Sequence, residues 1–335
     1  MKYNLKKNKS CEISLVVTFD KEDLDYYVNE AQKNLANNLK IEGFRKGKVP
    51  LEVAKDKLDK NEVLKIAFDL AFRQSFSDIL FKEKLELIDA SKFEVKENSS
   101  DMMVYSVILI IFPEFKVADY HDMRIKRNAV SVSEEEIDKT AESIRDSRKK
   151  DGVIPELNDE FARNLGQFND LKEFRVSIGE GLKQEKEIKE SQRIQSAILD
   201  KIAEKTKVES PSLLIERQLD QMMLELDADL HRQGLELGLF LAKIKKTKDA
   251  LRSEWKPKAE LLVKKALIIK EISKKENIKT DEQEVKEKMN QLLQGFGNPE
   301  QAEKNIDLPK LAEQMKQIIL NQKVLVFLEK KATQN

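Results

Sequence analysis

Residues 43–50 form the stretch of the sequence whose residue types are best suited to binding. The segment reads Gly43-Phe44-Arg45-Lys46-Gly47-Lys48-Val49-Pro50. The two glycines favour a tight loop with positive φ, and Pro50 favours the entry to a helix. We therefore predict that the loop tip holds Phe44, Arg45 and Lys46 out toward solvent. An exposed aromatic side chain beside two cations has the composition of a binding anchor.

Other interpretations of this loop stay open. A solvated basic turn is an equally simple explanation, because surface charge is ordinary. A phosphate-binding loop needs four residues between its glycines and a Ser or Thr after the lysine. Here three residues intervene and Val49 follows Lys48, which excludes that pattern. Nucleic-acid contact through Arg45, Lys46 and Lys48 remains an alternative.

The other reactive residue types form no catalytic pattern. His121 and His231 are the only histidines, and neither has neighbours at metal-ligand or triad spacing. Gly179-Glu180-Gly181 lacks the third glycine of a dinucleotide loop and lies in a helical context. Cys11 lies in an apolar run, which favours a small core residue. The sequence predicts no catalytic residue, metal site or cofactor, so we expect a protein that is not an enzyme.

Composition narrows the class further. Charged residues make up 36% of the 335 residues and aromatic residues 6%, which favours solvated helical elements. Lys+Arg and Asp+Glu both number 61, whereas a general nucleic-acid binder normally has a basic surplus. The basic N-terminus is not followed by the apolar core of a signal peptide, and the longest apolar run, residues 107–112, is too short to cross a membrane. We expect a cytoplasmic protein without a membrane partner.

Residues 1–112 are predicted to form a small α+β domain. Residues 13–19 alternate as a half-buried strand does, and Asp20 is a suitable N-cap for a helix that runs to about Leu39. A second helical region covers roughly residues 51–81, and residues 91–95 and 103–112 read as strands joined by a polar turn. An apolar stripe on the second helix is predicted to pack in the core, and it comprises Leu64, Phe68, Phe72, Phe76 and Ile79.

The remainder is predicted to be a connector, residues 113–150, followed by an all-α domain, residues 151–335. Ser133 and Glu136 match a capping box, and so do Thr280 and Gln283. Ser210 is predicted to cap a helix that has Pro211 at its first position, and a final helix starts near Leu308. The helices have apolar faces but are highly charged elsewhere, so we expect projecting arms and an elongated multidomain chain.

Methionines on these helices are candidates for an adaptable binding surface, because Met changes shape at low cost. The candidates are Met222, Met223, Met289 and Met315. Packing within the domain core is at least as well supported for each of them.

Two motifs resemble the trigger factor family of ribosome-associated chaperones. The first is the loop at 43–50, and the second is Ile154-Pro155-Glu156-Leu157-Asn158-Asp159-Glu160-Phe161-Ala162, which resembles the start of the family's C-terminal domain. The resemblance implies that Gly43, Phe44, Arg45, Lys46, Gly47, Lys48 and Pro50 form the loop that docks on a ribosomal protein beside the exit tunnel. Many family members carry an FKBP-type isomerase domain before the second motif. Only Asp151-Gly152-Val153 stands there in this chain, so we expect that domain to be absent.

The resulting hypothesis is an ATP-independent chaperone that binds apolar segments of nascent and unfolded polypeptides at the tunnel exit. The resemblance also allows a homodimer away from the ribosome. A peptidyl-prolyl isomerase is one alternative, and proline-limited refolding distinguishes it. An RNA-binding protein that uses the basic loop is another, and a steep loss of RNA affinity with added salt would favour it.

Overall fold

The computed structural model describes residues 1–9, 11–39, 44, 49–149, 154–295 and 306–333. It divides into two compact units. The first contains Met1–Phe115 and Val208–Lys264, and the second contains Lys116–Lys207 and Lys265–Asn335. The predicted boundaries at residues 112 and 150 remain predictions, because these units are defined by packing alone. Residues 208–264, which the sequence assigned to the C-terminal domain, belong to the first unit.

The first unit is built on a four-stranded antiparallel sheet. Its strands are β1 (Lys2–Lys9), β2 (Glu12–Asp20), β3 (Leu87–Asn98) and β4 (Met102–Ile111), in the order β1-β2-β4-β3. Strands β2, β3 and β4 confirm the predicted strands, with β3 longer than expected. Strand β1 was not predicted, because it is mostly polar and depends on pairing with β2 from Lys2 opposite Thr18 to Lys7 opposite Ile13.

Three helices belong to the N-terminal part of this unit: α1 (Lys21–Ala36), α2 (Leu51–Lys55) and α3 (Lys60–Lys82). The predicted cap is confirmed, since the Asp20 carboxylate accepts the Asp23 amide. The helical region predicted over 51–81 consists of two helices, α2 and α3, with a short break between them. Asp59 accepts the Asn61 amide and starts a new helix after a short break.

The predicted aromatic stripe of α3 packs against the inner face of the sheet. Phe68 and Ile79 are buried, and Phe72 and Phe76 pack half-buried on the same core as Leu15 and other inward residues of β2 and β4. One polar pair lies inside this core: the hydroxyls of Ser75 and Tyr105 are 2.8 Å apart, and Tyr105 is fully buried. Tyr105 is therefore a fully buried ionisable group in this core, and its hydroxyl must remain neutral there.

The ionisation of Tyr105 predicts a loss of stability at alkaline pH. Burial raises its pKa to about 12, whereas an unfolded tyrosine ionises near pH ~10. The folded chain holds the proton more tightly, so this stabilisation is complete below pH ~10 and is lost as the pH rises toward ~12. Tyr105→Phe should remove this component from denaturant unfolding curves measured across that range, whereas Tyr26→Phe, at an exposed tyrosine, should retain it. An unchanged slope in the Tyr105 variant would contradict the assignment.

The rest of the described chain is helical apart from an extended connector at 112–133. Its helices are α4 (Glu134–Ser147), α5 (Asp159–Asn164), α6 (Leu171–Lys205), α7 (Ser212–Arg232), α8 (Leu237–Lys243), α9 (Lys248–Lys275), α10 (Glu282–Gln294) and α11 (Leu308–Thr333). An α+β N-terminal region followed by a mostly helical remainder confirms the predicted fold class.

The predicted helix starts are mostly correct. The capping box of Ser133 and Glu136 is present, and α11 begins at Leu308. Two caps are displaced by one residue: Pro211 rather than Ser210 is the N-cap of α7, and Asp281 with Glu284 forms the second capping box in place of Thr280 and Gln283. The carboxylate of Asp281 caps as well as a hydroxyl does, so the sequence alone did not decide between the two positions.

In the second unit, the residues on either side of 150–153 share one small core. Ala141 of α4, Phe161 and Ala162 of α5, and Phe174 and Ile178 of α6 pack together. The helices before and after residues 150–153 therefore contact each other directly. Residues 151–153 themselves lie outside the described part of the chain.

Within the described residues, no helix is both long and apolar enough to cross a membrane.

Candidate functional site

The predicted binding loop is described only at Phe44 and at its C-terminal residues Val49 and Pro50. Phe44 is 41% exposed, in agreement with a side chain held toward solvent. Pro50 has φ −61° and ψ 139° and is the N-cap of α2. Its carbonyl accepts the amides of Val53 and Ala54 and starts that helix. Gly43, Arg45, Lys46, Gly47 and Lys48 lie outside the described residues.

Val53 adds a second exposed apolar side chain to this region, with 40% of its surface accessible. It was not predicted from the sequence, because one valine in a short charged helix carries no pattern. In the sequence, the exposed apolar residues Phe44 and Val53 stand before and after the cationic residues 45–48. The described part of this region therefore offers apolar contact area to a partner.

The candidate methionines are placed mainly inside the protein. Met222 and Met223 on α7 and Met315 on α11 are all buried, and Met289 on α10 is half-buried. Burial favours the core-packing interpretation for the first three, because a covered side chain offers no surface to a partner. The binding role assigned to these four residues remains a prediction.

A second exposed apolar surface lies between α7 and α9, where no site was predicted from the sequence. Helix α8 has the sequence Leu-Gly-Leu-Phe-Leu-Ala-Lys, and none of its residues is buried. Leu239 is 66% exposed, and Leu235 in the preceding turn is 45% exposed. We call residues 235–248 the α8 tip. The alternation of leucines at 235, 237, 239 and 241 was the available signal, but it reads equally well as a buried strand or helix.

Backbone turns fix α8 at both ends. After α7, Gly234 takes a left-handed φ of 72°, and the Leu235 amide bonds the Leu230 carbonyl. After α8, Lys245 takes a φ of 55°, and the Lys246 amide bonds the Leu241 carbonyl. Both are helix-ending turns that satisfy the last carbonyls of the helix before them. The tip is therefore an ordered element, although none of the residues of α8 is buried.

The flanking helices α7 and α9 are joined independently of α8. Arg252 donates to Glu216 at 2.6 Å and to Asp220 at 2.5 Å. These two carboxylates, Asp220 foremost, raise the pKa of the Arg252 guanidinium. Arg217 of α7 also pairs with Asp89 of β3. The Arg252 pairs therefore link α7 to α9 at the base of the hairpin, outside α8.

Lysines follow directly on the apolar residues of the tip. They are Lys243, Lys245, Lys246 and Lys248. Lys246 pairs with Glu254, whereas Lys243, Lys245 and Lys248 are exposed and form no ion pair with any other residue the structure describes. The tip therefore combines apolar contact area with uncompensated positive charge.

The second unit has its own open groove, with a volume of about 630 Å³. Ile188 on α6 lies in it at 58% exposure, beside Val326 of α11. Amide side chains line the same groove, at Gln184, Gln192, Gln195 and Gln322. Amides both donate and accept hydrogen bonds, so this surface can pair with the backbone of an extended chain.

Two buried carboxylates bind the extended connector beside this groove. Glu329 of α11 accepts from Arg127 at 2.9 Å and from Gln195 at 2.8 Å. Glu190 of α6 accepts from the backbone amide of Asn128 at 2.7 Å and from the guanidinium of Arg193 at 2.7 Å. Arg193, and then the Asn128 amide, lower the pKa of Glu190 to about 2. The connector is thus fixed by charge-assisted hydrogen bonds.

The Glu190 contacts predict an acid-sensitive attachment of the connector. The folded pKa lies below that of the unfolded chain, so this stabilisation is present above pH ~4.5 and is lost as the pH falls toward ~2. Glu190→Gln should lower the free energy of unfolding at pH 7. The difference in this free energy between the variant and the unchanged chain should shrink as the pH falls from ~4.5 toward ~2. Urea unfolding at stepped pH measures this. Glu187→Gln, at an exposed position three residues away, is the matched control; equal effects of both changes would contradict the assignment.

The cysteine and the two histidines each contact a nearby group of the fold. The Cys11 thiol is buried and lies 3.6 Å from the Glu209 carbonyl oxygen. His231 lies over Asp227 of its own helix, and the His121 ring nitrogen is 3.9 Å from the Glu276 carboxylate. No group of three or more potential metal ligands occurs among the residues whose positions are described.

Comparison with known proteins adds the family relationship. Residues 1–144 match the family model described as bacterial trigger factor protein, and residues 170–329 match the model of its C-terminus. A trigger factor of Halothermothrix orenii is 23% identical over 98% of this chain and 97% of its own length. One from Clostridium kluyveri is 21% identical over 98% of each chain. A solved structure of the trigger factor chaperone aligns with a TM-score of 0.51 at 18% identity, over 99% of this chain and 100% of that one, and so shares the fold.

The relatives contain residues that this chain lacks. The alignment with the H. orenii protein runs over 423 positions, so at least 88 of them have none of the 335 residues of this chain opposite. The two family models leave 25 residues of this chain between them.

Proposed function

The chain belongs to the bacterial trigger factor family, and from this premise we propose that it is an ATP-independent chaperone of newly made polypeptides. It docks on the ribosome beside the exit tunnel through residues 43–50, and it binds apolar client segments on the α8 tip and in the groove at Ile188. The observation that carries the proposal is the α8 tip, an ordered helix without one buried residue. Exposed apolar side chains gain free energy when a binding partner removes them from water, so an ordered apolar helix of this kind fits a binding surface.

The expected strength of client binding is modest. Full burial of one leucine contributes roughly 1.5–3 kcal/mol, and a client covers Leu235 and Leu239 only in part. Ordering the client and losing its translational freedom oppose this gain. A few such contacts give capture that is weak and reversible, which suits a chaperone that must release its client without nucleotide hydrolysis.

The exposed Phe44 supports the docking part of the proposal. It lies within the region matched by the N-terminal family model, in a segment with cations on its C-terminal side. An aromatic anchor with nearby positive charge fits a surface that combines an apolar pocket with acidic protein or RNA groups. Docking there places the chaperone in the cytoplasm.

The proposal assigns no isomerase activity to this chain. The 25 residues between the matched regions are fewer than the roughly 50 residues that small domains need, and α4 and α6 around them share one core. Proline-limited refolding at the rate of buffer alone is the expected behaviour.

Replacing Phe44, Arg45 and Lys46 with alanine should abolish co-sedimentation with ribosomes, because the anchor and its flanking charges are removed together. The circular dichroism spectrum and the unfolding midpoint should stay unchanged, since Phe44 is exposed and arginine and lysine side chains rarely pack in a core. Undiminished pelleting of a folded triple variant would refute the docking assignment.

Replacing Leu235 and Leu239 with serine should weaken client capture. Two partly covered leucines are worth about 1 kcal/mol each, so affinity for an unfolded client should fall by about tenfold or more. Suppression of client aggregation in the absence of ribosomes measures the loss.

Phe81→Ser is the matched control, because Phe81 is 88% exposed in the same unit but lies at the end of α3. If this single change reduced capture as much as the α8 double variant, exposed apolar area in general, and not the α8 tip, would be responsible.

A further inference from the structure

We propose that the α8 tip selects clients by charge, and that it prefers apolar segments with an acidic residue beside the apolar side chain. This inference rests on the proposed chaperone function and specifies the substrate class of one of its surfaces.

Charge in this part of the chain is strongly segregated. Residues 235–248 contain four lysines and one acid, Glu236, for a formal charge of +3 in a chain whose total is zero. Helix α7, which leads into the tip, contains five acids and two arginines. A client on the tip therefore meets positive charge beside the apolar residues, whereas the negative charge lies on α7.

The lysines of the tip are available to a client. Lys243, Lys245 and Lys248 have no ionic partner among the residues described, whereas Lys246 is paired with Glu254. An acid that arrives with an apolar neighbour can pair with one of these lysines while its neighbour contacts the leucines of the tip. None of the residues that the structure describes neutralises these three lysines through an ion pair.

Helix geometry sets the spacing of the preferred motif. Leu239 and Lys243 are four residues apart on α8, so they share one face with Cβ atoms roughly 5–6 Å apart. In an extended peptide, residues two apart point to the same side and are separated by about 6.6 Å. When an apolar side chain of the client contacts Leu239, the client residue two positions further along lies within reach of Lys243. The preferred pattern is an apolar residue followed or preceded at two positions by Glu or Asp.

A narrow peptide fits this surface better than a flat anionic membrane does. Glu225 and Asp229 are exposed shortly before the tip in sequence, and Glu236 is exposed at its start. An extended chain that runs from Leu239 toward Lys243 moves away from these acids, whereas a charged plane would also approach them. Like charges brought together are unfavourable, so the segregation favours a narrow ligand.

The test uses fluorescent peptides bound to the full chain at low salt. The peptides share one apolar pair and differ only two positions beyond it, where they carry Glu, Gln or Lys. The Glu peptide should bind about fivefold more tightly than the Gln peptide, as expected for exposed charge pairs, and the Lys peptide should bind more weakly. Raising the salt to about 1 M should remove the difference.

Charge reversal supplies the decisive variant. Lys243→Glu with Lys248→Glu should invert the order of the three peptides. Lys256→Glu with Lys258→Glu makes the same charge change at exposed positions further along α9 and should leave the order unchanged. Circular dichroism confirms that both variants fold.

The outcomes separate this inference from the proposed function. Equal binding of all three peptides would overturn the charge preference and leave the chaperone proposal standing. Binding of none of them would overturn the assignment of the tip as a client surface. Failure of the peptides together with tight binding to phosphatidylglycerol vesicles would replace the peptide with an anionic membrane as the ligand.

Discussion

The ion pairs at the base of the α7–α9 hairpin are the constraint on which the exposed surface depends. Arg252 joins α9 to Glu216 and Asp220 of α7, and the buried residues Leu219 and Leu251 belong to the same two helices. The two helices are therefore linked at the base of the hairpin, and α8 presents Leu239 to solvent while Leu237, Phe240 and Leu241 are half-buried. If α8 were needed to hold the hairpin, its apolar residues would have to be buried and would be lost as a binding surface.

An exposed apolar surface carries a risk of self-association, and the charge pattern limits it. Lys243, Lys245 and Lys248 follow the leucines of the tip and form no ion pair within the described part of the chain, so two tips that approach each other bring like charges together. The same charges that oppose self-association attract a client of opposite charge. Solubility and selectivity thus have one physical origin in this part of the molecule.

In the second unit, buried carboxylates fix a long connector that has no regular secondary structure. Glu190 and Glu329 are buried and nearly saturated with donors from Asn128, Arg193, Arg127 and Gln195. A buried carboxylate with several donors is favourable only in one geometry. The connector therefore has a defined path beside the groove that contains Ile188.

The sequence by itself determined the local features: the strand alternation of β2, the caps at Asp20 and Ser133, the aromatic face of α3, the start of α11 and the family motifs. Each of these is encoded by neighbours within a few residues, so each was readable without the fold. Only the tertiary structure decided which apolar faces are covered. Periodicity marks Met222 on α7 as apolar just as the alternating leucines mark α8, yet the first is buried and Leu239 is exposed, because burial depends on distant residues that no local pattern names. For the same reason β1, which exists only through its pairing with β2, was not predicted.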